Sequence, residues 1–183
     1  YEFFEEFIDE ILKSGINLVY IHARNAILSG ISPKGNRNIP PLNYSFVSRI
    51  KSKYPKTTFI LNGGIDSMEK AFDLSKSHDG IMLGRLIQNN PFTLKKVDKL
   101  FYNETNNYVV SEKTIKDYFN FIRPKIGKDS IYRLLSPLLS IFFGVPDTKN
   151  FRIEVHNKMQ EHNFDILEKI FLKFIDEKKL FIN

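Results

Sequence analysis

Phe59-Ile60-Leu61-Asn62-Gly63-Gly64-Ile65 and Asp79-Gly80-Ile81-Met82-Leu83-Gly84-Arg85 are short apolar runs, and each reaches glycine where it would leave a sheet. Such runs read as buried strands. Between them Asp66 to Ser77 has helical spacing. Asp66 is placed to cap that helix, Glu69 to close a capping box, and Met68, Ala71, Phe72 and Leu74 to face a core. Strand, glycine turn, helix, strand is the βαβ unit of a parallel sheet, so the fold class is α/β. Ligands of such sheets gather at the carboxyl ends of the strands, where these glycines sit. Glycine lets backbone N–H groups come close to a ligand, and a following helix N-terminus favours an anion. Arg85, one residue past the second turn, can add a bidentate contact to the same phosphate. Either motif alone is more simply explained by local structure, Gly63-Gly64 as a tight turn and Gly84 as a helix entry, but the pair on consecutive strands favours a ligand site.

Tyr1 to Ser14 reads as a helix with Phe3, Phe4, Phe7, Ile8, Ile11 and Leu12 on one face and Gly15 as its stop. Asn17 to His22 is a further short buried strand. If strands 17–22, 57–62 and 80–84 are parallel neighbours, His22, Asn62 and Gly84 emerge on one rim. Arg24 to Leu42 carries Gly30, Pro33, Gly35, Pro40 and Pro41, has no sustained period, and reads as a long βα loop. Arg24, Lys34 and Arg37 make it basic. A solvated loop and a loop that holds phosphate backbone have the same composition.

Asn43 is placed to cap a helix to about Tyr54, with Phe46, Val47 and Ile50 inward and Pro55 at its end. Asn90-Pro91 opens another helix, through Tyr102. The polar segment Asn103 to Asn107 is a boundary, beyond which strand signals largely stop. Ser111–Arg123, Asp129–Phe143, Asp147–Met159 and Phe164–Lys178 all have helical spacing. The expected organisation is an α/β part over 1–102 followed by a small all-helical domain over 103–183.

With no cysteine in 183 residues, disulfides, thiolate metal sites and cysteine catalysis are all excluded from this chain. No metal is expected. The longest apolar stretch, Leu134 to Val145, is broken by Pro137, Ser140 and Gly144 and is too short to span a bilayer. The acidic, amphipathic start has none of the marks of a targeting peptide and resembles the middle of a protein. A net charge of +6 permits a polyanionic partner without requiring one.

Several stretches in order resemble the tRNA-dihydrouridine synthases, with the A-type branch nearest. They are Ile21-His22-Ala23-Arg24-Asn25-Ala26, the loop Leu28 to Arg37, Ile39-Pro40-Pro41-Leu42, Asn62-Gly63-Gly64-Ile65, Asp79 to Arg85, and Asn90-Pro91. Leu138 to Gly144 and Lys149-Asn150-Phe151-Arg152 resemble that branch's C-terminal helical domain more loosely. The resemblance implies a TIM (β/α)8 barrel that holds FMN, with NADPH as reductant, and a helical domain that grips tRNA. The reaction would be reduction of the C5–C6 double bond of a D-loop uridine. On this likeness His22, Asn62, Gly63, Gly64, Gly84 and Arg85 match flavin-binding positions. Arg24, Lys34, Gly35, Arg37 and Asn38 fall in the loop that meets tRNA, and Lys149 and Arg152 match contacts of the helical domain. Lys149 stands where arginine is usual.

The same likeness implies that this is the C-terminal part of such an enzyme, carrying about strands six to eight. The family's cysteine acid would lie upstream, so no catalytic residue is assigned here and this chain alone is expected to be inactive. The complete enzyme is expected to be monomeric and cytoplasmic, with an organelle as the other compartment and no membrane partner. Two alternatives stay open: a non-catalytic RNA-binding remnant, and another FMN- or phosphate-binding TIM-barrel enzyme.

Overall fold

The computed structural model describes residues 1–105 and 111–180, so Asn106 and Asn107 of the expected boundary lie outside the described residues. The chain divides into two compact units, Tyr1–Ile87 with Lys96–Asn103, and Gln88–Lys95 with Glu104–Asn183.

The first unit begins with helix α1 (Glu2–Lys13), which ends at Ser14 and turns through Gly15 at φ +85°. Strand β1 (Leu18–His22) follows. The long connection to the next element contains one short helix, α2 (Pro33–Asn36), capped by the Ser32 hydroxyl, which accepts the Gly35 N–H at 3.1 Å. Helix α3 (Tyr44–Lys53), strand β2 (Thr58–Asn62), helix α4 (Met68–Ser75) and strand β3 (Gly80–Met82) complete the βαβ pattern. The strands form a parallel sheet in the order β1-β2-β3. The register pairs His22 with Asn62 and Asn62 with Met82. Helices α1 and α3 cover one face, where Ile8, Ile21, Val47, Ile50, Phe59 and Leu61 form a core. A smaller cluster joins Ile65, Met68 and Ala71 to Ile81, Leu83, Leu100 and Phe101.

Several expectations are corrected here. Ser67, not Asp66, caps α4: its hydroxyl accepts the Lys70 N–H at 3.1 Å. That shift leaves Glu69 one position short of the reciprocal capping place, and it instead pairs with Lys96 at 2.5 Å. Asn43 holds the cap position of α3, but its side chain accepts from the Ser45 hydroxyl rather than from a helix N–H. Phe3 and Phe7 do not reach the core and are 81% and 57% exposed. The apolar stripe of α1 is wider than the surface it packs on, and Ile8 at its centre is the residue fully buried. The strands are less buried than their composition suggests. Leu18 and Tyr20, on the sheet face away from α1 and α3, are exposed.

Between Gly84 and Asn90 the chain forms a short helix, α5 (Arg85–Asn89), so Gly84 stands at a helix entry. Pro91–Lys96 is a 3₁₀ segment, and only Val97–Tyr102 (α6) is α-helical. The second unit contains α7 (Glu112–Ile122), α8 (Ile131–Leu139), α9 (Thr148–Met159) and α10 (Phe164–Glu177). Ser111 and Thr114 close a reciprocal capping box on α7, and Asn163 caps α10 through two backbone N–H groups. Phe119, Phe142, Phe151 and Phe171 lie at the centre of its core.

Candidate functional site

The carboxyl ends of the three strands are tied together by one side chain. Asn62 donates its Nδ2 to the Met82 carbonyl at 3.3 Å, and its Oδ1 lies 2.7 Å from His22 Nδ1. The first bond makes Nδ2 the donor, so Oδ1 is an acceptor and His22 Nδ1 must carry the proton. In the neutral ring Nε2 is then left as an acceptor for a ligand. The long-range ¹H–¹⁵N spectrum of the chain is therefore expected to show the Nδ1–H tautomer for His22. Asn62→Ala should return it to Nε2–H, and an Nε2–H tautomer in the unmodified chain would sink this assignment.

Gly63 and Gly64 follow at φ +122° and +59°, a region that glycine enters without steric cost. Their carbonyls are held from two sides. The Tyr44 hydroxyl donates to Gly63 O at 2.6 Å and Lys70 Nζ to Gly64 O at 2.8 Å. Among the described residues no acceptor takes the N–H of Gly63, Gly64 or Gly84. Leu42 packs against the double-glycine turn so closely that a Cβ on Gly64 would collide with its Cδ1. Gly84 is different: a Cβ there would meet nothing within 4 Å.

Arg85, first residue of α5, reaches back to the loop after β1. Its guanidinium donates to Asn38 Oδ1 and, at 3.1 Å, to the Arg37 carbonyl. Arg24 works on the same segment from inside, donating Nη1 to the carbonyls of Asn38, at 2.9 Å, and Pro40. Its Nε is buried without a partner among the described residues, and its Nη2 lies beside Gly64. Asn36 clamps the loop's other limb, accepting the Ile27 N–H and donating to the Ile27 carbonyl, both at 2.7 Å. A loop with no sustained period is thus shaped by Arg24 and Asn36 and pinned to the rim by Arg85.

The structure therefore brings together His22, Asn62, Gly63, Gly64, Gly84 and Arg85 in one unit, with Arg24 and Asn38 beside them. Lys34 and Arg37 are exposed on the loop, and Gly35 lies in the tight turn of α2 against Ile31. Lys149 and Arg152 belong to the other unit. They share one wall of a groove there, and Arg152 also donates to the Leu139 carbonyl at 2.9 Å. Tyr44 and Lys70, which fix the glycine carbonyls, were not foreseen, because a tyrosine and a lysine on amphipathic helices carry no local mark of that task. Among the described residues no cluster of His, Asp or Glu is arranged to hold a metal, and no helix is long and apolar enough to cross a membrane.

Comparison with known proteins places this geometry in context. The dihydrouridine synthase (Dus) family profile matches residues 1–177. The tRNA-dihydrouridine(20/20a) synthase of Yersinia pestis is 34% identical over 154 residues, 83% of this chain and 45% of that protein. Its counterpart from Shewanella oneidensis is 35% identical over 153 residues, 83% of this chain and 46% of that protein. The Shigella flexneri protein of the same name is 32% identical over 183 residues, 98% of this chain and 54% of its own length. The chain thus spans about half the length of the curated relatives it matches, between 45% and 54% in these three. On the profile match and these relatives together, this chain belongs to the dihydrouridine synthase family.

Proposed function

We propose that this chain supplies the flavin-binding rim and the RNA-binding helices of a tRNA-dihydrouridine synthase that reduces the C5–C6 bond of a D-loop uridine with FMN and NADPH. The observation that carries this reading is the convergence of His22, Asn62, Gly84 and Arg85 at one end of a parallel sheet, in a chain matched to the family over residues 1–177. On this reading 1–102 is the C-terminal part of a (β/α)8 barrel, β1 to β3 are its last strands, and 103–183 is the tRNA-binding domain.

The residues present fit an FMN phosphate. The N–H groups of Gly63, Gly64 and Gly84, unpaired among the described residues, the open space at Gly84 and the Arg85 guanidinium make a donor set suited to an anion. FMN held there, once reduced by NADPH, would supply the hydride for the uracil ring. His22 Nε2, set as an acceptor by Asn62, orients the cofactor. Arg24 and Asn36 shape the loop that offers Lys34, Gly35, Arg37 and Asn38 to the tRNA, and Arg85 couples that loop to the cofactor rim. Lys149 and Arg152 add phosphate contacts from the helical unit. The proton for the second uracil carbon comes from outside this chain, which has no cysteine.

The test is a chimera in which this chain replaces the aligned segment of the Yersinia pestis synthase, with dihydrouridine measured in a tRNA transcript. Product is expected, and Arg85→Ala should weaken FMN binding roughly tenfold to a hundredfold, the range for one charge-assisted contact. A folded chimera that binds FMN yet makes no dihydrouridine would reject the reading.

A further inference from the structure

Lys149 and Arg152 do not stand on a flat basic surface. They share a groove of about 460 Å³ with Phe143, Ile153, His156 and Asn157. That volume lies in the range of small-ligand sites, roughly 300–1,000 Å³. Phe143 is 64% exposed and Ile153 51%, and Phe143 is absent from the unit's core. Among the described residues no carboxylate lines the groove. The acidic residue that begins α9, Asp147, is paired with Lys178. A groove with an exposed ring and an aliphatic side chain, two cations and an amide has the parts to hold both the face and the polar edge of a nucleobase. A base inside a duplex cannot offer its face, because its neighbours cover it.

We infer that this groove takes one unstacked nucleotide of the RNA partner. The base stacks on Phe143 and Ile153, Asn157 meets its polar edge, and the adjoining phosphates lie on Lys149 and Arg152. This rests on the RNA-binding reading above and adds a preference for looped over paired RNA. Electrostatic contacts alone would bind both forms, since phosphates are common to them.

The probe is an RNA hairpin with 2-aminopurine in its loop, set against a blunt RNA duplex of equal length, each titrated with the full chain at several salt concentrations. The chain should prefer the hairpin and change the 2-aminopurine emission. Phe143→Ala should weaken hairpin binding about tenfold, the order of one base–aromatic stack, while leaving duplex binding and the salt slope unchanged. Phe143→Tyr should retain the preference. Arg152→Ala should instead lower the salt slope by about one contact for both RNAs. Circular dichroism confirms that each variant is folded. Salt-dependent RNA binding that ignores Phe143→Ala overturns the nucleotide site but leaves the RNA-binding reading standing. Absence of salt-dependent binding to either RNA overturns both. An acidic peptide carrying phenylalanine that binds through Phe143, and that the hairpin fails to displace, assigns the groove to a protein partner and overturns the inference.

Discussion

Phe171→Ala is expected to destabilise the helical unit by about 3–5 kcal/mol, the usual cost of removing a fully buried aromatic ring. The ring has no solvent exposure and meets those of Phe151, Phe119 and Phe142 at centroid distances of 4.9, 5.6 and 5.9 Å. The Phe151 and Phe119 contacts are edge-on, a geometry that adds to the area buried. Guanidinium unfolding of the intact chain, followed by hydrogen exchange of amides in α7 and α10, reads the effect within that unit rather than as an average over both. A loss below about 1 kcal/mol would mean that the ring is not packed as described.

Asp79→Ala should cost the α/β unit about 2 kcal/mol at neutral pH, and the loss should fade in acid. Asp79 Oδ2 accepts the Phe59 N–H at 2.8 Å and the Lys51 ammonium at 2.9 Å. Phe59 is a buried core residue, so removing the carboxylate leaves its N–H without this acceptor. Burial pushes the Asp79 carboxyl upward, but the Phe59 N–H and Lys51 outweigh it and hold it below the usual carboxylate range. A group depressed on folding contributes fully above its unfolded pKa, near 3.9 for aspartate, and the contribution is lost as pH falls through the lower folded value. The stability difference between wild type and Asp79→Ala should thus stay level above about pH 5 and shrink below about pH 4. Denaturant titrations at both ends of that window check it, and a gap independent of pH would remove the carboxylate from the explanation.

Neither effect was visible in the residues one by one. Asp79 reads as the polar start of a strand, and Phe171 as one of many apolar residues with helical spacing. The α4 cap was misplaced by one residue because Asp66 and Ser67 are both good caps, and local preference cannot choose between neighbours. Helix α5 has only Gly84 as its entry signal in the sequence, because five residues are too few to show a period. Phe3 and Phe7 lie on the apolar face of α1 yet stay exposed, because periodicity tells which side of a helix is apolar, not how much of that side a neighbour covers.

Local signals along the chain carry the βαβ pattern, the helical spacing of residues 111–177 and the positions of His22, Asn62, Gly63, Gly64 and Gly84 at or just beyond the ends of strands. Those features depend on apolar spacing and on glycine's access to positive φ, both properties of neighbouring residues. Folding alone lets Asn62 set the His22 proton from forty positions away and Arg85 fasten Asn38 across forty-seven. It likewise decided that Tyr44 and Lys70 fix the glycine carbonyls, and that Phe143 shares a groove with Lys149 and Arg152. Each of these is a bond or contact whose partners meet because the strands pair in one register or the helices pack in one way. No spacing along the chain encodes such a meeting.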